Sequence, residues 1–165
     1  MNENEMKRHL KVFDHAIRAA KGPQECWLAL QALAGKTAGF KLFTVMTVDM
    51  VKDVARRVHT SHPAEYPVTG TKPIHRDAWF DVVHRQQKPF VANTILEIAQ
   101  VFPDHEKIWS MGCGSVVNLP VVVEGVLVAT INLLHEEHFY TRDIVEGIEK
   151  YLAGPAKIAY LSAKR

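Results

Sequence analysis

The run "SVVNLPVVVEGVLVATINLLH", Ser115 to His135, constrains this chain more than any other feature. Two apolar, β-branched segments of strand length meet at Glu124-Gly125, and a two-residue turn with Gly second suits a tight type I′ hairpin. With Val123 opposite Val126, the register sets Asn118 opposite Ile131, Val117 opposite Asn132 and Gly114 opposite His135. Opposed residues share a face. Val116, Asn118, Ile131, Leu133 and His135 are therefore expected on one side, and Val117, Leu119, Thr130 and Asn132 on the other. Both sides are mostly apolar, so both need a cover.

The flanking sequence supplies two different covers. Met6, Leu10, Phe13, Ile17 and Ala20 recur at spacings of four and three, which predicts a helix. A second helix opens near Pro23 and turns Trp27, Leu30 and Ala34 inward. At the other end "TRDIVEGIEKYL" reads as a helix with Thr141 as N-cap, kinked or restarted at Gly154-Pro155. Residues 38–48 and "DVARRVHTS" from Asp53 read as two further strands. The loop "HPAEYPVTGTKPI" carries three prolines and one glycine and is expected to lack regular structure.

The middle segment is built of shorter pieces. "RDAWFDVVHRQQ" is expected as a helix with Trp79, Phe80 and Val83 on one stripe, and "KPFVAN" as a short edge strand. "TILE" is a capping box opening a helix that Pro103 ends. A further turn after Asp104 is expected to set His105, Ile108 and Trp109 on one face. Short helices and loops carrying Trp79, Phe90, Ile98, Phe102 and Trp109 would roof the sheet loosely. A cavity beneath them is the natural place for a small ligand. The expected architecture is α+β, an antiparallel sheet with terminal helices on one face.

Composition narrows the function classes. At 165 residues, 47% hydrophobic and 23% charged, the chain suits one globular domain. A net charge of +2 with no basic run gives no nucleic-acid face. No segment is long and apolar enough for a membrane span, and "MNENEMKRHL" is not a signal peptide. Cys26 and Cys113 form no CxxC or disulfide framework, so a reducing, cytoplasmic setting is expected.

"GSVVNLPVVVEGVLVATINL", followed by "FYTRDI" and a closing helix, resembles the GAF-domain family of small-molecule sensor modules. "WFDVVHRQQKPFVAN" is similar to that family's helix and strand before the pocket loop. The resemblance covers nearly the whole chain from Gly39 onward, and with the N-terminal helices in 1–36 the expected single domain is 1–165, with sheet and pocket roof in 38–136 and the C-terminal helix in 141–163. It implies five or six antiparallel strands, a ligand pocket roofed by the segment from Trp79 to Trp109, and a pocket side holding Asn118 and His135. "HEKIWSMG" is similar to a stretch of phytochrome chromophore domains, with His105 in the place of the bilin-packing His. Residue 104 is Asp where the plant-type attachment Cys would stand, so covalent bilin is not expected. Free methionine-R-sulfoxide reductases of the family need pocket cysteines. The position aligned with their catalytic Cys is Trp109 here, so that activity is not expected either. No cofactor is named by the sequence, and no residue singles out a cyclic nucleotide.

Among reactive groups, Cys113 near His135 is the sharpest catalytic candidate, because a His-activated thiolate is a nucleophile. The alternative is a small buried Cys between glycines that turn the chain onto the sheet. "HEEH" and "HTSH" invite a metal, but a two-residue histidine step on a strand points the pair to opposite faces, and none is expected. Asn118 within a buried strand must find partners and is the leading ligand contact. Asn132 is expected on the helix side as a structural residue. Arg56, Arg57 and His59 alternate along one strand with one face in solvent. Tyr66 and Lys72 in the proline-rich loop are candidates to gate the site or bind an anion.

The expected pocket residues are thus Trp79, His105, Trp109, Cys113, Asn118 and His135. The expected function is a small-molecule sensor, a regulatory module acting through partner contact or a homodimer formed by the terminal helices. The alternative is a small catabolic hydrolase or isomerase using Cys113 and His135 or a histidine-bound metal.

Overall fold

The structure is a computed structural model that describes residues 2–68 and 70–165. Met1 and Thr69, which the expected N-terminal helical segment and the proline-rich loop include, lie outside the described residues. Two helices open the chain, α1 (Glu3–Ala19) and α2 (Pro23–Thr37), followed by strands β1 (Leu42–Asp49), β2 (Val54–Thr60) and β3 (Thr71–Pro73). The middle segment holds α3 (Ala78–Phe80), running into a π-helical turn at Asp81–Arg85, then β4 (Phe90–Ala92), α4 (Ile95–Ala99) and α5 (His105–Ser110). Strands β5 (Ser115–Val123) and β6 (Val126–His135) precede the closing helix α6 (Arg142–Ser162). The strands form one six-stranded sheet in the order β3-β2-β1-β6-β5-β4, antiparallel throughout.

Local chemistry accounts for most of these boundaries. Asn2 caps α1 by accepting from the Glu5 amide at 2.9 Å. Thr94 and Glu97 form the reciprocal capping box of α4. Thr141 stands at the N-cap of α6 without a side-chain cap bond. That helix continues through Pro155 rather than ending there, with Leu152, Ala156, Ala159 and Tyr160 buried around the missing backbone bond. The proline-rich loop does contain regular structure: β3 pairs with β2 through Val54↔Pro73, Ala55↔Lys72 and Arg56↔Thr71. A proline is tolerated there because β3 is the outermost strand, with a free edge that asks for no donor.

Two apolar clusters lie on opposite faces of the sheet. The larger joins Phe13, Trp27, Leu30, Leu152 and Tyr160 of the terminal helices to Phe43, Val117, Ile131 and Leu133. The smaller holds Leu42, Val116 and Leu134 under Ile98 and Ile108 of the roof, with Tyr66 and Cys113. The sheet is thus covered on both faces, as the apolar hairpin demands.

The hairpin register differs from the expected one by a single residue. Glu124 and Gly125 do form the turn, with φ of 51° and 79°, and Val123 does face Val126. Between Val121 and Val122 a β-bulge intervenes: Val122 pairs with Leu127 but Val121 with Ala129, leaving Val128 unopposed. Beyond it Asn118 faces Asn132, Val117 faces Leu133 and Ser115 faces His135. A one-residue slip exchanges the faces of a whole strand. Asn132 and Thr130 therefore join Asn118 on the roof side, and Ile131, Leu133 and His135 turn to the helix side. A second bulge, between Val45 and Met46 of β1, leaves Val58 of β2 unopposed. Val58 and Val128 both pack against the helix-side core.

Candidate functional site

The sheet carries a row of polar side chains across the middle of its roof face. Asn118 pairs with Asn132 and Asn132 with Thr44 in the strand ladder. Their side chains continue that row: Asn118 Nδ2 donates to Asn132 Oδ1 at 2.6 Å, and Asn132 Nδ2 to Thr44 Oγ1 at 3.1 Å. From the roof, Trp79 Nε1 donates to Asn118 Oδ1 at 3.1 Å. All three sheet residues are buried. Each amide is held in one orientation by the next, so the row is fixed before anything binds.

Above this row lies an inner cavity of about 70 Å³, bounded by β1, β2, β5 and β6 below and by Tyr66, Trp79, Phe102 and Ile108 above. It adjoins an outer cleft of about 420 Å³. The two share Met46, Lys72, Trp79, Phe102 and Asp104. The cleft continues along Ala55, Pro73, Ile74, Val101 and Pro103, a largely apolar wall.

A charged cluster closes one end of the inner cavity. Tyr66 donates its hydroxyl to Asp104 Oδ2, and Lys72 Nζ lies 2.7 Å from the same oxygen. Burial alone would raise the Asp104 carboxyl, but the Lys72 and Tyr66 donors outweigh it and hold the group below its ordinary value. Tyr66 itself is pushed well up by burial and by the carboxylate it serves. Arg57, only 7% exposed, lies over the Tyr66 ring with Cζ 4.1 Å from its centroid and donates from Nη1 to the Pro67 carbonyl at 3.0 Å. Desolvation lowers its pKa. The second bulge explains why Arg57 and His59, two residues apart, do not share a face: Arg57 points to the cavity, and His59 to α2, between Gln24 and Gln31.

Of the expected pocket residues, Trp79 and Asn118 line the cavity. The other four are placed elsewhere. His105 turns back on its own helix start, with Nδ1 3.1 Å from the Phe102 carbonyl. Trp109 is 55% exposed and lines a surface recess against Gly112, Gly114, Glu136 and Glu137. The inward positions belong to Asp104, at the N-cap of α5, and Ile108, four residues on, so the helix is rotated by one residue from the expected face. Cys113 is buried in the roof-side cluster, and burial pushes its thiol up to about 11. His135 stacks on Phe139, ring centroids 3.5 Å apart, and Phe139 packs against the helix-side core. Cys113 and His135 therefore serve opposite faces and make no nucleophile-base pair. Asn132, expected to be structural on the helix side, is in the cavity floor.

The residues sequence reasoning missed here are Arg57, Asp104, Thr44 and Asn132. Tyr66 and Lys72, named as candidates for an anion or a gate, are present at the cavity. Among the described residues no three His, Cys, Asp or Glu side chains converge to hold a metal, and no helix is long and apolar enough to cross a membrane.

The sequence matches no family model and no curated protein. The fold is similar to that of several solved structures. The GAF domain of an Acinetobacter phosphoenolpyruvate-protein phosphotransferase matches with a TM-score of 0.71 at 8% identity, over 99% of this chain and 98% of that one. The GAF domain of a phosphoenolpyruvate-protein phosphotransferase from Coxiella burnetii matches at 0.68 and 14% identity, over 99% and 98%. Free methionine-R-sulfoxide reductase from Neisseria meningitidis, solved with its substrate, matches at 0.62 and 16% identity, over 99% and 93%. At such identities the likeness is one of fold.

Proposed function

We propose that this chain, whose fold is that of a GAF domain, is a regulatory module that holds a small organic molecule between its sheet and its roof. The observation that carries this reading is the fixed row of Trp79, Asn118, Asn132 and Thr44 under a cavity with otherwise mostly apolar walls. A few oriented polar groups in an apolar hollow are the general form of a ligand site. Arg57, Tyr66, Lys72 and Asp104 add charge at one end. The catalytic alternative loses its thiol-imidazole pair, because Cys113 and His135 pack into opposite apolar faces.

Strand β5 offers a route outward. It presents Asn118 to the cavity and Val117 and Leu119 to the core shared with α6. A ligand that shifts β5 would shift that helix. Exposed Val12, Leu28, Ile158 and Leu161 on α1, α2 and α6 suit a second copy of this chain as the receiver. The unpaired, buried Cys26 and Cys113 fit a reducing, cytoplasmic setting.

The test is native mass spectrometry of the purified chain, followed by thermal-shift screening with small aromatic and polar organic compounds. Compounds that stabilise the wild type should lose their effect in Asn118→Leu and keep it in Trp109→Ala. Hits that ignore Asn118→Leu, or that depend on Trp109, would remove the site from this cavity.

A further inference from the structure

Two side chains that line the inner cavity each carry a polar atom without a partner among the described residues. Arg57 Nε and Asp104 Oδ1 are buried, and neither has a hydrogen bond among the described residues. Buried polar atoms in native structures are almost always satisfied, so two unmet atoms on side chains that line the same cavity point to an occupant that reaches them. One is a donor on a permanent cation, the other an acceptor on a carboxylate. One further atom of each group is committed within the protein. Arg57 Nη1 is committed to the Pro67 carbonyl, and Asp104 Oδ2 to Tyr66 and Lys72.

Charge decides the sign of what is missing. Lys72 already neutralises Asp104 at 2.7 Å. Arg57 makes no ion pair among the described residues and feels Asp104 only at longer range, in a place where desolvation penalises it. A buried, unpaired cation is costly, and an anion at Nε relieves it. Resting on the binding role proposed above, we infer that the ligand is a small organic monocarboxylate with an adjacent O–H or N–H donor and an apolar body. The carboxylate accepts from Arg57 Nε, and the neighbouring donor meets Asp104 Oδ1. A phosphate or dicarboxylate would set a second negative charge against Asp104.

Size agrees with this division. The inner cavity of about 70 Å³ is well under the roughly 150 Å³ that takes a benzene ring. It therefore receives the polar head. The body extends past Trp79 and Phe102 into the outer cleft of about 420 Å³, whose lining beyond them is apolar apart from His75 and Asp77.

Calorimetric titration of the intact chain with four probes tests this. Mandelate carries the carboxylate, the hydroxyl and a phenyl body. Phenylacetate lacks the hydroxyl, mandelamide lacks the charge, and indole lacks both the hydroxyl and the charge. Mandelate should bind about tenfold tighter than phenylacetate or mandelamide. In Arg57→Gln its advantage over mandelamide should vanish, and in Asp104→Ala its advantage over phenylacetate, with circular dichroism confirming that each variant folds. If a variant does not fold, the wild-type ratios alone decide. Mandelamide binding as tightly as mandelate, or a preference that survives Arg57→Gln, overturns the carboxylate class. Indole binding without the acids overturns that class but leaves the binding role standing. If none of the four binds, the molecule retained on purification decides: a monocarboxylate upholds the class, another compound overturns it, and no retained molecule overturns both class and role.

Discussion

Asn118 and Asn132 meet side chain to side chain across the central hairpin, Nδ2 to Oδ1 at 2.6 Å. The contact exists only because a bulge shifts β6 by one residue and brings both amides to the same face. It ties the floor of the cavity to Trp79 in the roof on one side and to Thr44 of β1 on the other.

Replacing either amide strands its neighbours. Asn118→Ala and Asn132→Ala should each cost about 1–3 kcal/mol, the range for a buried polar group that loses its partner. The double variant should cost less than the sum by more than about 0.5 kcal/mol, because one loss already breaks the row. Urea denaturation of the four proteins measures this. Strict additivity would show that the two amides do not act as a unit.

His59 makes stability depend on pH. It is 1% exposed and neutral in the fold, with Nδ1 accepting from Gln24 Nε2 at 3.1 Å and Nε2 donating to Gln31 Oε1 at 2.7 Å. Burial lowers its pKa from 6.5 to about 4. Between those values the unfolded chain takes up a proton that the folded chain refuses. The stabilisation is complete above pH 6.5 and is lost as pH falls towards 4. About 3 kcal/mol is at stake. Denaturant midpoints at pH 7.5 and 4.5 should fall more steeply for the wild type than for His59→Gln. Parallel slopes would count against a neutral, buried His59.

Cys113 should be inert. With its thiol at about 11, almost none is thiolate at neutral pH, and the sulfur is buried beneath the roof. Iodoacetamide at pH 7.5 should modify it over about a hundredfold more slowly than a free thiol, as read by intact-mass spectrometry. Rapid alkylation of the folded chain would restore Cys113 as a candidate nucleophile.

Gly114 is required by its surroundings. A Cβ there would overlap Glu137 Cγ and come within 3.3 Å of the Glu137 backbone nitrogen and of Trp109 Cζ3. Glu137 is not free to swing away, since its Oε1 accepts from the Ile95 amide at 2.9 Å, at the start of α4. Gly114→Ala should therefore lower stability by about 1–2 kcal/mol. In a Glu137→Ala background the same change should cost markedly less. An equal cost in both backgrounds would mean that the Glu137 side chain is not what demands glycine.

Local sequence determined most of the framework. The spacing of Met6, Phe13 and Ile17 sets the buried face of α1, the Thr94-Glu97 box opens α4, and Glu124-Gly125 makes the turn where it was expected. Each of these depends on residues a few positions apart, whose propensities and hydrogen bonds act within one element. The two covered faces and the antiparallel sheet follow from the same local pattern.

Which side chains meet in the cavity was decided only by tertiary structure. Nothing in "VVVEGVLV" distinguishes Val128 as the unopposed residue, because its strand neighbours Val126, Leu127 and Ala129 are all apolar. Packing of Val128 and Val58 into the helix-side core selects the bulges, and each bulge reverses the faces of all that follows. That reversal carried Asn132 to the cavity and His135 away from it, and it separated Arg57 from His59. Asp104 became part of the site through Tyr66 and Lys72, which reach it from 38 and 32 residues away. A helix as short as α5 has too few turns for its own pattern to fix its rotation, so the roof packing turned Asp104 and Ile108 inward and left Trp109 outside.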